Sequence, residues 1–148
     1  MFSLQRLVGG DEIFFDLLER SAGEARESVQ VLIKLLNAPS ASSLDDFALL
    51  RKKDKRITEE ISERLTTTFV TPLEREDIEA LSVALYKIPK TLEKFGERLL
   101  LCPERVRRTD FSRQAGLLER AADVVLLMVR ELRTSPDLEK VKEQNDKL

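Results

Sequence analysis

Residues 71–100 read TPLEREDIEALSVALYKIPKTLEKFGERLL and contain the clearest helical pattern in the chain. Thr71, Pro72 and Glu74 predict the helix start, because a threonine hydroxyl can accept a hydrogen bond at the N-cap, proline needs no donor at N1, and Glu74 completes a capping box. Pro89 interrupts the pattern without changing its phase, which indicates a kink. We therefore expect one helix over 72–101. Its apolar positions alternate spacings of three and four: Ile78, Leu81, Leu85, Ile88, Leu92, Phe95 and Leu99.

Similar patterns predict helices over about 11–37, 44–68, 105–133 and 136–148. Asp11 is the expected cap of the first helix, and Cys102-Pro103 separates the third from the fourth. Five glycines and five prolines are too few for the many turns of a β-sandwich or barrel. The sequence predicts an all-α fold, an antiparallel bundle of long helices that forms a single domain over residues 1–148.

The composition excludes several classes of chemistry. The chain has no histidine and one cysteine, Cys102, which rules out histidine-based nucleophilic catalysis, zinc sites built from histidine or several cysteines, and an internal disulfide. No other arrangement suggests proton transfer or a nucleophile, so we predict that the protein is not an enzyme. The longest apolar run, residues 124–129, is far shorter than the roughly 20 residues of a membrane helix. We expect a cytoplasmic protein.

One acidic residue lies on the apolar stripe of the second helix. This stripe contains Phe47, Leu50, Ile57, Ile61 and Leu65, and Asp54 occupies the gap between Leu50 and Ile57. Asp54 is either buried and held by a lysine or arginine of a neighbouring helix, or turned outward by a local rotation. The second alternative is the commoner arrangement in proteins, because carboxylates are rarely buried without a partner.

Two segments resemble a known family. FFDLLER at 14–20 and TFVTPLEREDIEAL at 68–81 are similar to the PhoU-like regulators that accompany Pit-type phosphate transporters. The resemblance implies an all-helical protein built from two similar three-helix units. This chain would contain the first unit and part of a second, and VKEQNDKL at 141–148 resembles the start of a helix that continues.

The resemblance also implies metal-binding acidic clusters, which this chain lacks at the matching positions. Residues 51–55 read RKKDK and residues 85–90 read LYKIPK, where the family has clustered acids. Lysine and arginine place positive charge where a hard cation would need carboxylate oxygens. We therefore expect no metal ion at this site and no other cofactor.

The replacing bases form a candidate patch for an anion or a partner: Arg51, Lys52, Lys53, Lys55, Lys87 and Lys90. They could bind an acidic protein surface, a phosphate-bearing ligand or an anionic lipid headgroup. The alternative is a solvated helix face whose bases pair with Glu59, Glu60 and nearby acids. Charge runs are more often solvated faces than binding sites.

The resemblance implies a non-enzymatic regulator of phosphate transport that contacts a phosphate permease, or another membrane transporter, at its cytoplasmic face. The protein would then be cytoplasmic or peripheral at the inner face of the membrane. The alternative is a structural oligomerisation module, a homo-oligomer whose unfinished fifth helix pairs with another copy of the chain. A partner chain would then cover exposed apolar residues on the fourth helix: Val124, Val125, Met128 and Val129. Nucleic acid is not an expected partner, because Arg105, Arg107, Arg108 and Arg113 cluster without a recognition motif or net positive charge.

Overall fold

The computed structural model describes residues 4–39 and 44–134, with side chains from residue 12 onward. This part of the chain is all-α, as predicted, and its helices pack into a bundle. The predicted helix over 136–148 lies outside the described residues. The helices are α1 (Leu4–Asn37), α2 (Asp45–Thr67), α3 (Arg75–Leu100), the short α4 (Pro103–Arg108) and α5 (Ser112–Thr134).

Helix α1 is the packing partner of every other long helix. It contacts α2, α3 and α5, and α2 also contacts α3. Side-chain pairs give the directions: Arg26 of α1 bonds Asp123 and Gln30 bonds Glu119, so α5 runs antiparallel to α1. Ion pairing between Arg51 and Glu93 places α3 beside α2. The described helices therefore form a three-helix unit, with α5 laid along α1.

The core consists of two apolar clusters stacked along the helices. The Phe14 cluster is Phe14, Leu17, Leu18, Ala22, Ile57, Ile61, Leu65, Ile78, Leu85 and Val129. The Phe47 cluster is Val29, Val31, Leu32, Leu35, Phe47, Leu50 and Leu92. Fully buried side chains of this size each stabilise the fold by about 2 kcal/mol relative to exposure. The predicted stripe of α2 is buried in these clusters from Phe47 to Leu65.

The prediction that the first helix begins at Asp11 was wrong, because α1 begins at Leu4 and runs through Gly9 and Gly10. Glycine lowers helix propensity by about 1 kcal/mol but ends a helix mainly by adopting a left-handed conformation. No glycine in the described residues has a positive φ. The polar Asp11 thus lies inside the helix.

The predicted capping box at the start of α3 was also wrong. The N-cap is Glu74 and makes no side-chain cap bond, while the Thr71 hydroxyl donates to the Leu73 carbonyl at 2.7 Å. Pro72 therefore lies in the link before the helix, and α3 begins at Arg75, three residues later than predicted. The Thr71 hydroxyl is engaged within the link, so it does not accept from the first turn.

Arg75 organises the link between α2 and α3. Its guanidinium donates hydrogen bonds to the carbonyls of Leu65, Thr68 and Phe69, the last at 3.1 Å. The last carbonyls of a helix have no partner within the helix, and a planar guanidinium can satisfy several of them at once. Arg75 thus caps the end of α2 from the first residue of α3.

Pro89 lies within α3 and does not end it, as predicted. The buried face differs in part from the predicted stripe, because Phe95 is 41% exposed while three small residues are buried. These are Ser82, Pro89 and Gly96, spaced by seven residues. Small side chains at this spacing let the helices approach closely, and Gly96 packs against the Phe47 ring.

The helix predicted over 105–133 is two helices in the structure, because the helical conformation is interrupted between Arg108 and Ser112. Asp110 stabilises the second start: its Oδ1 accepts bonds from the Ser112 backbone N–H at 2.9 Å and the Ser112 hydroxyl at 2.6 Å. These bonds favour the ionised carboxylate and lower the pKa of Asp110. An aspartate just before a run of helical residues is a sequence signal for a helix start. The apolar pattern, which continues on both sides of Asp110, had favoured one uninterrupted helix instead.

Replacing Arg75 with alanine should lower the free energy of unfolding by about 1–2 kcal/mol, because bonds from a charged donor to three helix-end carbonyls are lost. Urea unfolding followed by circular dichroism measures the change. Lys94→Ala, on the exposed face of the same helix, is the control and should change stability by less than about 0.5 kcal/mol. Equal effects of the two substitutions would contradict the capping role.

Two helical glycines should respond oppositely to alanine. At Gly23 no atom lies within 4 Å of an added Cβ, so the alanine variant should gain about 0.5–1 kcal/mol from helix propensity. At Gly96 an added Cβ would lie 3.1 Å from Phe47 Cε2, and the Phe47 ring is fully buried. The resulting overpacking should remove this gain or reverse it. Urea unfolding of both variants tests the difference, and an equal gain would contradict close packing at Gly96.

Candidate functional site

The six predicted patch residues lie on α2 and α3, and those with a contact point in different directions. Arg51 of α2 points to Glu93 of α3, and Lys90 of α3 lies over the Tyr86 ring of the same helix. Lys53 points towards α1, where its Nζ lies 3.9 Å from the Glu24 carboxylate. Lys55 pairs with Glu59 along α2 at 3.4 Å. The six bases therefore do not form one continuous surface.

Tyr86 interacts with both Arg51 and Lys90. The Lys90 ammonium lies 5.8 Å from the centre of the Tyr86 ring, within the range of a cation–π contact. Hydrogen bonds with Tyr86 and Glu93 raise the pKa of Arg51 above its ordinary value. Arg51 is thus neutralised by Glu93, and the free positive charge beside Tyr86 belongs to α3.

Lys52 and Lys87 are the patch residues that remain exposed without an ionic partner in the described part of the chain, and Lys90 is exposed with only an aromatic contact. Of the pairs with Glu59 and Glu60 that the alternative predicted for these bases, Lys55 with Glu59 is present, while Arg51 and Lys53 pair with acids of α3 and α1. Glu60 pairs with Arg64 instead, at 2.8 Å. Accessible charge at the candidate patch is reduced to three lysines.

A cavity of about 320 Å³ opens between α1 and α2. Its lining was not predicted, because it combines residues from two helices whose rotation about each other the sequence does not specify. Three bases and two acids surround it, together with one apolar side chain: Arg20, Lys53, Arg56, Glu24, Glu60 and Ile57. Because the lining has three bases and two acids, its net charge is small.

Asp54 is completely buried, contrary to the favoured expectation that it faces outward. The other alternative, a buried acid held by a base, was wrong in its partner. The Ser21 hydroxyl donates to Asp54 Oδ1 at 2.6 Å, and Oδ2 has no hydrogen-bond partner in the described residues. The helix does not rotate, because Leu50 and Ile57 on either side are themselves buried.

Burial raises the pKa of Asp54 from 3.8 to about 6, because the charged carboxylate loses its hydration. The Ser21 hydrogen bond acts against this rise, while the nearby negative charge of Glu24 adds to it. Burial also raises the pKa of Glu24, assisted by Glu27 and opposed by Lys53 and Arg20. Two carboxyl groups with raised pKa values thus face each other across α1 and α2.

Metal-ligating side chains do not gather in the described part of the chain. No group of three or more aspartate, glutamate or cysteine residues with suitable geometry is found there. Cys102 is exposed at the N-cap of α4. Within the same ranges, every helix is too short or too polar to cross a lipid bilayer.

Exposed large apolar side chains are spread over all the long helices but α1 and over the links in the described part of the chain: Leu49, Phe69, Val70, Val83, Phe95, Leu101, Leu117 and Leu127. Phe69 is 96% exposed in the link that Arg75 caps. On α5 the exposed residues are Leu117 (45%) and Leu127 (41%). The predicted surface residues differ: Val129 is buried, and Val124, Val125 and Met128 are half-buried. The prediction was wrong for Val129, which belongs to the Phe14 cluster, and Val125 packs partly buried against the same cluster.

Comparison with protein-family models, with curated proteins and with solved structures finds no match to this chain. The resemblance to PhoU-like regulators is neither supported nor contradicted by them, and it stays a hypothesis based on the two quoted segments. The bundle itself is an all-α architecture that serves many functions. Function must therefore be inferred from the surfaces described above.

Proposed function

We propose that the protein is a non-enzymatic regulator of phosphate transport that contacts a phosphate permease through the exposed lysines of α2 and α3. The observation that carries this proposal is the set Lys52, Lys87 and Lys90, which are exposed and lack a carboxylate partner in the described residues. An acidic cytoplasmic loop of a transporter is the matching partner. Complementary charge would speed association and select the partner.

Two further features support this proposal. The residues between 68 and 81 that resemble the PhoU-like family form the α2–α3 link and the start of α3, the same helix that carries Lys87 and Lys90. Arg51 is ion-paired with Glu93, so its role is to hold α2 against α3. The docking surface would thus be presented by two helices whose relative position is supported by an ion pair.

Reversing two charges on α3 should weaken binding to the permease. Lys87→Glu/Lys90→Glu replaces attraction by repulsion at the proposed surface, and we expect about a tenfold or greater loss of affinity, largest at low salt. Co-purification with a Pit-type phosphate permease, followed by titration at two salt concentrations, measures the effect.

The matched control is Arg120→Glu/Arg130→Glu, which makes the same change in net charge at exposed positions of α5, a helix that does not pack against α3. Binding should persist in this variant. Loss of binding in both variants to the same extent would exclude a local patch, and retention in both would exclude the patch altogether. Failure of the wild-type chain to bind any phosphate permease would remove the transport role.

A second candidate function is an oligomerisation module, favoured by Leu117 and Leu127 on the exposed side of α5. Large exposed leucines on one helix are common where chains associate. Sedimentation at several concentrations should then give a dimer that Leu117→Glu/Leu127→Glu converts to a monomer. A wild-type monomer at every concentration would contradict this function.

A further inference from the structure

The middle of the bundle separates the two apolar clusters. On α2, Asp54 lies between Leu50 of the Phe47 cluster and Ile57 of the Phe14 cluster. On α3, Pro89 lies between Leu92 and Leu85, which belong to the same two clusters respectively. We call Ser21, Glu24, Asp54 and Pro89 the middle layer. At this level polar groups and a proline replace most of the apolar packing, and Ile88 is a partly buried side chain that packs against both clusters.

The middle layer has few hydrogen bonds for a buried region. Asp54 is fully buried with one hydrogen bond, from Ser21, and its second oxygen lacks a partner. Glu24 also has a buried carboxyl oxygen without a hydrogen bond. Pro89 has no N–H to donate to the carbonyl of residue 85, so the helical ladder of α3 lacks one bond at this level.

No base compensates Asp54 directly. On α1, the facing groups are Ser21, Glu24 and Arg20, and Arg20 acts on Glu24. On α2, Lys53 turns to Glu24, while Arg51 turns to α3. On α3, Tyr86 and Glu93 engage Arg51, and Lys90 lies over the Tyr86 ring. Helix α5 packs on α1, and its Asp123 pairs with Arg26. Ionised Asp54 is thus an uncompensated buried charge.

We propose that the middle layer is a proton-linked switch, in which ionisation of Asp54 opens the contact between α1 and α2 and protonation closes it. The charged carboxylate gains hydration when the contact opens, and the neutral acid does not. The cavity lined by Glu24 and Lys53 lies at the edge of the layer, and in the open state water would enter from it. The proposal does not depend on the proposed role in transport, because the switch operates in the isolated chain.

The direction of the pH dependence follows from the raised pKa. The closed state binds the Asp54 proton with a pKa of about 6, and the open state with an ordinary value near 3.8. The closed state is therefore favoured fully below the lower value, and its advantage is lost as pH rises through the upper one. Over the whole interval the opening equilibrium should increase about a hundredfold.

Native-state hydrogen exchange tests the switch in the full chain. The wild type is compared with Asp54→Asn at each pH, so that the intrinsic pH dependence of exchange cancels. For amides at 20–25 and 50–58, the ratio of wild-type to variant opening constants should rise about tenfold from pH 5 to pH 7.5. The ratio should change less for amides of α5.

The control is Glu63→Gln, which removes an exposed acid of α2 and should give a ratio independent of pH. A pH-independent ratio for Asp54→Asn would overturn the switch. An equal rise at every amide in the chain would also overturn it, because opening would then be global unfolding rather than release of one contact.

A second pair of variants keeps the test decisive if Asp54→Asn fails to fold. Ser21→Ala removes the bond that stabilises ionised Asp54, so opening at residues 50–58 should increase at pH 7.5 and change little at pH 4. Ser28→Ala is matched, since Ser28 is equally buried on α1 but donates to the Ala25 carbonyl. Its effect should be the same at both pH values. Identical pH profiles for the two serine variants would contradict the proposal.

Discussion

The packing of α1 against α2, α3 and α5 is the constraint on which the rest of the described structure depends. One helix that serves three partners must be apolar around much of its circumference, and Val29 and Val31, which point to nearly opposite sides of the helix, are both buried. The partners then need only one apolar face each. Ion pairs such as Arg133 with Asp16 and Glu19 align α5 along α1 at the edge of this contact.

The same geometry explains why the core has a weak middle. In a helical bundle, residues at the same height along neighbouring helices lie in the same layer. A single polar residue on one helix therefore affects the packing of the layer that all three helices share. Asp54 occurs where α3 has Pro89 and α1 has Ser21, and large apolar residues resume one turn away on either side. Burial of an acid without a base costs stability unless it is protonated. The apolar packing of the two clusters must therefore supply the stability that this layer does not.

The surface charge is reduced by pairing. The run at 51–56 has five bases, yet Arg51, Lys53 and Lys55 each have a carboxylate partner on another helix or one turn away. Pairing of this kind depends on which acids the neighbouring helices bring near. A basic stretch in a sequence therefore overstates the positive charge that a partner would meet, and here the accessible charge shifts towards α3. The proposed role in phosphate transport rests on the resemblance of two sequence segments. The proposed contact surface rests on a separate observation, the exposed lysines.

The sequence by itself determined the all-α class, the existence of the long helices and the buried stripe of α2, because periodic burial and local propensity are properties of neighbouring residues. Helix ends were predicted less well. Helix α1 begins before Gly9-Gly10, α3 begins at Arg75, and the predicted fourth helix is interrupted near Asp110. Only the tertiary structure decided that Asp54 is buried against Ser21, that Arg51 is paired with Glu93, and that Gly96 of α3 faces the Phe47 ring. Each of these depends on how one helix is rotated and shifted against another, and contacts across 33 or more residues leave no periodic trace in the chain.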